Sequence, residues 1–218
     1  MQRRFALVAA PLLFTLVAAA PKRAVAPAPL PDIVQVAMTT EKGVITLELD
    51  AKRAPITVRN FVRYVDQRRF DGITFYRAMH LAWGTPPNGL IQAGTRGDPR
   101  KSLPPIAHEP TSATGLLHKA GALSMARHAP GTAAGDFSIL LSDMPGLDAD
   151  PAATDPEPKA GYAVFGRVTQ GMDVVRAIWD APRSPTLGEG VMKGQMLSPP
   201  VRVLTVRRLA TPAPAPTD

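Results

Sequence analysis

From residue 33 to residue 209 the chain alternates short β-forming runs with long proline-bearing loops, and only two stretches carry a helical stripe. That alternation constrains the fold more than any other feature, because strands this short bury a core only by pairing into a sheet that closes or stacks. Val34–Thr39 and Gly43–Leu49 read as a hairpin about the turn Thr40-Glu-Lys-Gly43. In the second run Ile45, Leu47 and Leu49 alternate with Val44, Thr46 and Glu48, so one face is the more apolar. Pro55 suits a helical first turn and opens a helix to about Arg69, with Ile56, Phe61, Val62, Tyr64 and Val65 as its stripe. Asp71-Gly72 is a turn and Ile73–Arg77 a strand. Leu81 to Leu117 reads as loop, carrying Pro86, Pro87, Pro99, Pro104, Pro105 and Pro110. Leu123–Ala126, Phe137–Leu141 and Ala163–Val168 follow as strands, with a loop over Pro145–Lys159. A helix over Met172–Trp179 and a closing strand over Val201–Leu209 complete the reading, a mostly-β barrel without internal repeats.

With 218 residues, 45% hydrophobic and 20% charged, the chain suits one packed domain with tails. Its net charge of +7 raises the question of nucleic acid. The basic residues are scattered and never alternate with aromatics, so they read as a solvated surface and no nucleic-acid partner is expected. The absence of cysteine rules out disulfides, thiolate metal sites and a cysteine nucleophile, and it fits an oxidising compartment. Arg3 and Arg4 precede an apolar run, Phe5–Ala20, that ends in small residues, the layout of a secretory signal peptide over residues 1–20. The run is short and alanine-rich for a membrane span, although an uncleaved anchor is the rival reading. Cleavage after Ala19 puts Val17 and Ala19 at the small-residue positions. Residues 21–32 form a Pro/Ala linker and 210–218 a loose tail around a domain at 33–209. The expectation is a periplasmic or secreted monomer without stable membrane insertion after cleavage.

Several pieces, in order, resemble the cyclophilin family of peptidyl-prolyl cis–trans isomerases. They are Gly43-Val-Ile-Thr-Leu-Glu-Leu49, Ala54-Pro-Ile-Thr-Val-Arg-Asn-Phe61, Phe70-Asp-Gly-Ile-Thr-Phe-Tyr-Arg77, Gly89-Leu-Ile-Gln92, Gly121-Ala-Leu-Ser-Met-Ala126, Gly161-Tyr-Ala-Val-Phe-Gly-Arg-Val168 and Gly171-Met-Asp-Val-Val175. The similarity spans about residues 34–209. It implies an eight-stranded antiparallel barrel closed by two helices, with a peptide bound on the outer face. Tyr162 ahead of Val164-Phe-Gly166 is similar to the bacterial exported branch.

Rotation about a prolyl peptide bond breaks amide resonance, a barrier of about 18–20 kcal/mol. No bond to carbon is made or cut, so such a catalyst needs neither nucleophile, metal nor cofactor. It needs a groove that holds the proline ring and a donor that favours the twisted amide over the planar one. A fixed guanidinium can bond the pyramidal prolyl nitrogen and hold the proline's carbonyl. On the residues alone Arg77 is a charge ending an apolar strand; the resemblance makes it the catalytic arginine and Gln92 the glutamine that steadies the substrate backbone. It also implies proline-containing unfolded or extended polypeptides as partners. The pocket departs from the family pattern. Gly89-Leu90 stand where Phe-Met is usual, Ser138 stands where the pocket-floor Phe is usual, and Arg127 replaces a backbone-binding Asn. Leu147 matches the pocket leucine, Tyr162 the aromatic rim, Phe165 the strand phenylalanine beneath the pocket and Phe137 a retained Phe, read as a core residue that supports the pocket. Burying one such ring is worth about 1.5–3 kcal/mol, so two missing rings should weaken proline binding. The 15-residue spacing from Arg77 to Gln92 is longer than the family's. Trp83 in the added stretch either covers the groove or packs the loop onto the barrel, and the sequence leaves both open.

His108, His118 and His128, with Glu109, lack metal-ligand spacing. Ser124 and Ser142 sit in no nucleophile-elbow context. The altered pocket keeps a second class in view: a cyclophilin-fold peptide-binding module or chaperone with little turnover.

Overall fold

The computed structural model describes residues 29–210; the expected signal peptide, most of the linker and residues 211–218 of the tail lie outside the described residues. β1 (Ile33–Thr40) and β2 (Gly43–Asp50) form the expected hairpin. Thr40 closes its turn through Oγ1, which donates to the Gly43 carbonyl at 2.8 Å. Helix α1 (Pro55–Asp66) follows, then β3 (Thr74–His80) and β4 (Gly89–Gly94). A short helix α2 (Thr111–Thr114) precedes β5 (Ala122–Met125) and β6 (Phe137–Leu140). Then come a second short helix α3 (Pro156–Ala160), β7 (Val164–Gln170), α4 (Met172–Trp179), the two-residue β8 (Arg183–Ser184) and β9 (Met196–Arg208).

The strands lie in the order β1-β2-β7-β5-β6-β4-β3-β9, and β9 pairs back onto β1, with Met38 opposite Val206. This is the expected closed eight-stranded antiparallel barrel, with β8 appended to β9 outside the ring. Four α-helices occur among the described residues rather than two; the added pair are single turns in segments read as loop. β4 is a second correction. It lies inside a segment whose prolines read as loop, yet Ile91 and Ala93 point into the core from it.

The interior is filled by alternate residues of each strand. Ile45, Leu47 and Leu49 of β2 are fully buried, as their alternation predicts. Phe61 on α1 packs on Phe70, Phe137 and Phe165 with ring centroids 4.8, 5.3 and 5.3 Å away. Ile56, expected in the stripe of α1, is 43% exposed; Thr57 and Val58 turn inward instead. The first turn of α1 is capped from a distant loop. The Glu109 carboxylate accepts the Ile56 and Thr57 backbone N–H groups at 3.0 and 2.7 Å and the Thr57 hydroxyl at 2.6 Å. An anion there satisfies free N–H donors and complements the helix dipole. No helix among the described residues is long and apolar enough to cross a membrane.

Candidate active site

One irregularity in β3 builds the site. Phe75 faces the interior, and strict alternation would send Arg77 inward beside it. The ladder to β4 slips between them, with Phe75 opposite Ala93 and Arg77 opposite Gln92, so Tyr76 is an extra residue on β3. The bulge reverses the alternation. Arg77 and Met79 therefore emerge on the outer face, while Ala78 turns fully inward.

On that face the registers place a polar row across four strands. Arg77 lies opposite Gln92, Gln92 opposite Ser138, and Ser138 opposite Ser124. A parallel apolar row runs beside it, with Met79 opposite Leu90 and Leu90 opposite Leu140. Leu90 and Leu140 join Ala122, Met144 and Val164 in a second apolar cluster outside the barrel, against which Leu147 packs. Between the rows is a groove of about 230 Å³, lined by Arg77, Gln92, Leu90, Ser138, Leu147 and Tyr162 with Met79, Met125, Met144, Ser124, Ala126 and Arg127.

The Arg77 guanidinium is held on two sides. Nη1 donates to Gln92 Oε1 at 3.0 Å and Nε to Gln195 Oε1 at 2.8 Å, with Met79 Sδ 3.6 Å from Nη2. Burial lowers its pKa, opposed by the nearby Tyr76 and Tyr162. An arginine stays charged in such surroundings, so the groove presents a fixed cation beside an apolar floor. At the rim, Arg127 lies over the Tyr162 ring, 4.4 Å from its centroid, and donates to Glu157 at 3.0 Å. Burial, reinforced by Glu157, raises the Tyr162 phenol above its usual pKa.

Six of the expected residues thus meet in the groove: Arg77, Gln92, Leu90, Ser138, Leu147 and Tyr162. Three do not line it. Phe137 and Phe165 are fully buried inside the barrel, because the odd positions of β6 and β7 there face the core; they back the groove rather than touch it. Trp83 is 66% exposed on its loop and does not cover the groove. The surface of the missing rings is replaced in part by Met79, Met125 and Met144, whose flexible thioethers adapt to an irregular wall. Sequence reasoning missed Met79, Met144 and Gln195. Met79 was signalled by its place two residues beyond Arg77 on one strand, whereas Gln195 lies 118 residues away and carried no signal.

His108 and His118 are engaged in separate bonds. His108 Nε2 lies 2.9 Å from the Ala160 carbonyl. Buried His118 bridges Asp148, 2.6 Å from Nδ1, and Ser124 Oγ, 2.9 Å from Nε2. With Nδ1–H donating to the Asp148 carboxylate, Nε2 of the neutral ring accepts the Ser124 hydroxyl. The connectivity matches a nucleophilic relay, but Ser124 sits mid-strand rather than on a sharp turn and is only 3% exposed. The chain of bonds ties the turn that carries Leu147 to the floor of the groove.

The model of the cyclophilin type peptidyl-prolyl cis-trans isomerase family matches residues 35–207. A peptidyl-prolyl cis-trans isomerase of Acinetobacter baylyi is 36% identical over 176 residues, covering 79% of this chain and 84% of that protein. One from Streptomyces antibioticus is 38% identical over 148 residues, covering 66% and 81%. The crystal structure of a Cryptosporidium parvum cyclophilin type isomerase shares the fold, with a TM-score of 0.64 at 18% identity over 83% of this chain and 99% of that one. By its matched span, its closed barrel and the arginine–glutamine groove on the barrel's outer face, the chain belongs to the cyclophilin-type peptidyl-prolyl cis–trans isomerases.

Proposed function

We propose that the groove binds a proline-containing, extended polypeptide and speeds rotation about its Xaa-Pro bond, with Arg77 as electrostatic catalyst and Gln92 as backbone clamp. The observation that carries this reading is the guanidinium of Arg77, held on two sides above an apolar floor. The floor formed by Leu90, Met144 and Leu147 grips the proline ring. Free N–H groups of Arg77 meet the prolyl nitrogen as it pyramidalises and gains a lone pair. Because the donor is already in place, little reorganisation is spent at the moment of rotation. A relative of known structure, the Cryptosporidium parvum isomerase, was crystallised in the presence of the dipeptide Ala-Pro, which supports a proline peptide as ligand.

The test is cis–trans exchange of a short Xaa-Pro peptide by NMR, with native protein beside Arg77→Ala. Native protein should accelerate exchange, and the variant should lose roughly 10²–10³-fold, as when a preorganised donor is removed. A folded native protein that accelerates no such peptide would leave a binding module on a cyclophilin barrel.

The clients are proposed to be exported proteins, met by a monomer of the bacterial exported branch working outside the cytoplasm. Support comes from the basic start, the apolar run and the small residues before Pro21. Intact mass of protein recovered from its native host should show residues 1–19 removed; a chain retaining them would be anchored or cytoplasmic instead.

A further inference from the structure

Arg77 makes two strong hydrogen bonds, and they face different worlds. Gln92 lines the groove and meets the peptide; Gln195 lies outside the groove lining, half-buried at the threshold of β9. Its backbone is registered against the catalytic strand, since its carbonyl accepts the Ala78 N–H at 2.9 Å and Met196 beside it pairs with Arg77. Its side chain is oriented from the other end, with Nε2 donating to the Val191 carbonyl at 2.7 Å. That bond fixes which way the amide points. The oxygen must face Arg77 Nε, a donor with no acceptor capacity. A guanidinium is a rigid planar fork, so bonds at Nε and Nη1 together fix its plane as well as its position. Without Gln195, the plane is held only by Gln92 at Nη1 and by the weak contact of Nη2 with the Met79 sulfur.

We infer that Gln195 is the positioning residue of the catalyst: it sets the guanidinium plane of Arg77 so that the remaining N–H groups face the prolyl nitrogen, without itself touching the peptide. The inference rests on the isomerase reading above. It assigns the closing strand, far away in sequence, a part in catalysis. It also links the catalyst to the 185–194 loop, whose Val191 anchors Gln195 through its backbone while its side chain is 86% exposed.

The experiment is a double-mutant cycle on Gln195 and Arg77, read by NMR exchange of an Xaa-Pro peptide and by peptide affinity. Gln195→Leu keeps much of the shape and removes the acceptor. It should slow exchange at saturating peptide roughly ten- to hundredfold, the worth of one hydrogen bond to a charged group, with affinity almost unchanged. Gln195→Glu, which retains an oxygen acceptor for Nε, should recover most of the rate. In an Arg77→Ala background Gln195→Leu should cost nothing more. The Nε–H resonance of Arg77 should move in Gln195→Leu while the thermal midpoint stays close to native. If Gln195→Leu turns over like native protein, or slows exchange equally with and without Arg77, the positioning role is wrong. If Arg77→Ala itself leaves native catalysis intact, the isomerase assignment to this arginine fails and takes the inference with it, an outcome visible in a different arm of the cycle.

Discussion

A Cβ at residue 89 would lie 1.9 Å from the Met79 carbonyl oxygen and 3.1 Å from Trp179 Nε1, at a φ of +144°. Glycine is therefore required where the family carries an aromatic wall. The Met79 carbonyl occupies that position, and the Trp179 indole beside it donates to the same oxygen at 2.9 Å. Restoring the ring by Gly89→Phe should accordingly fail. The expected result is a loss of about 3 kcal/mol or more in urea unfolding, from backbone strain and overlap, with no gain in proline-peptide affinity. A stable variant that binds peptide more tightly would show that the strand can yield. At this scale the sequence was informative about what is missing from the pocket, but not about why. The clash at Gly89 depends on the Met79 carbonyl of the neighbouring strand, with a helix residue 90 positions later close behind it, and the direction of Arg77 depends on an extra residue in the ladder. Strict alternation would have buried that arginine, and only the family resemblance pointed to it. Phe137 backs the groove from the core while Ser138 lines it, because β6 turns one to the core and the next to the groove.

Elements with a clear period were legible. β2 announced its inner face, and α4 was bounded to the residue by Gly171 and the turn after Trp179. β4 was hidden because prolines precede it and glycines bracket it, and β9 began earlier than expected because Pro199 and Pro200 resemble a loop. The Glu109 cap could not be read at all, since the residue beside His108 serves a helix 52 positions back. The turn carrying Leu147 owes its placement to His118, and this gives stability a pH dependence. Burial lowers the pKa of His118, against Asp148, and lowers that of His80, against the Trp179 carbonyl. Both rings are thus held neutral in the fold, while in the unfolded chain they take up protons near the usual value of about 6.5. Their contribution is complete above that pH and is lost as pH falls below it, because the unfolded state then binds more protons. Carboxylates lowered by basic partners, such as Asp71 beside Arg207, act further down, near and below about 4. The urea midpoint should therefore fall between pH 7.5 and 5.5; a flat profile across that window would show that these histidines charge without penalty.

Over the whole molecule, the ordered run of motifs was enough to anticipate an eight-stranded barrel, because each piece occupies a fixed place in one ring. The closure itself, β1 against β9, has no local signature: it joins the two ends of the domain and depends on the path between them. That closure has a consequence beyond stability. A folding enzyme spends its life among extended chains whose unpaired amides and carbonyls will add to any free sheet margin they meet. In this barrel each of the eight ring strands has a neighbour on both sides. Extended chains can reach the ring through side chains and a shallow groove, and the one strand described with a free margin, β8, is only two residues long, so the barrel offers little on which such a chain could stack.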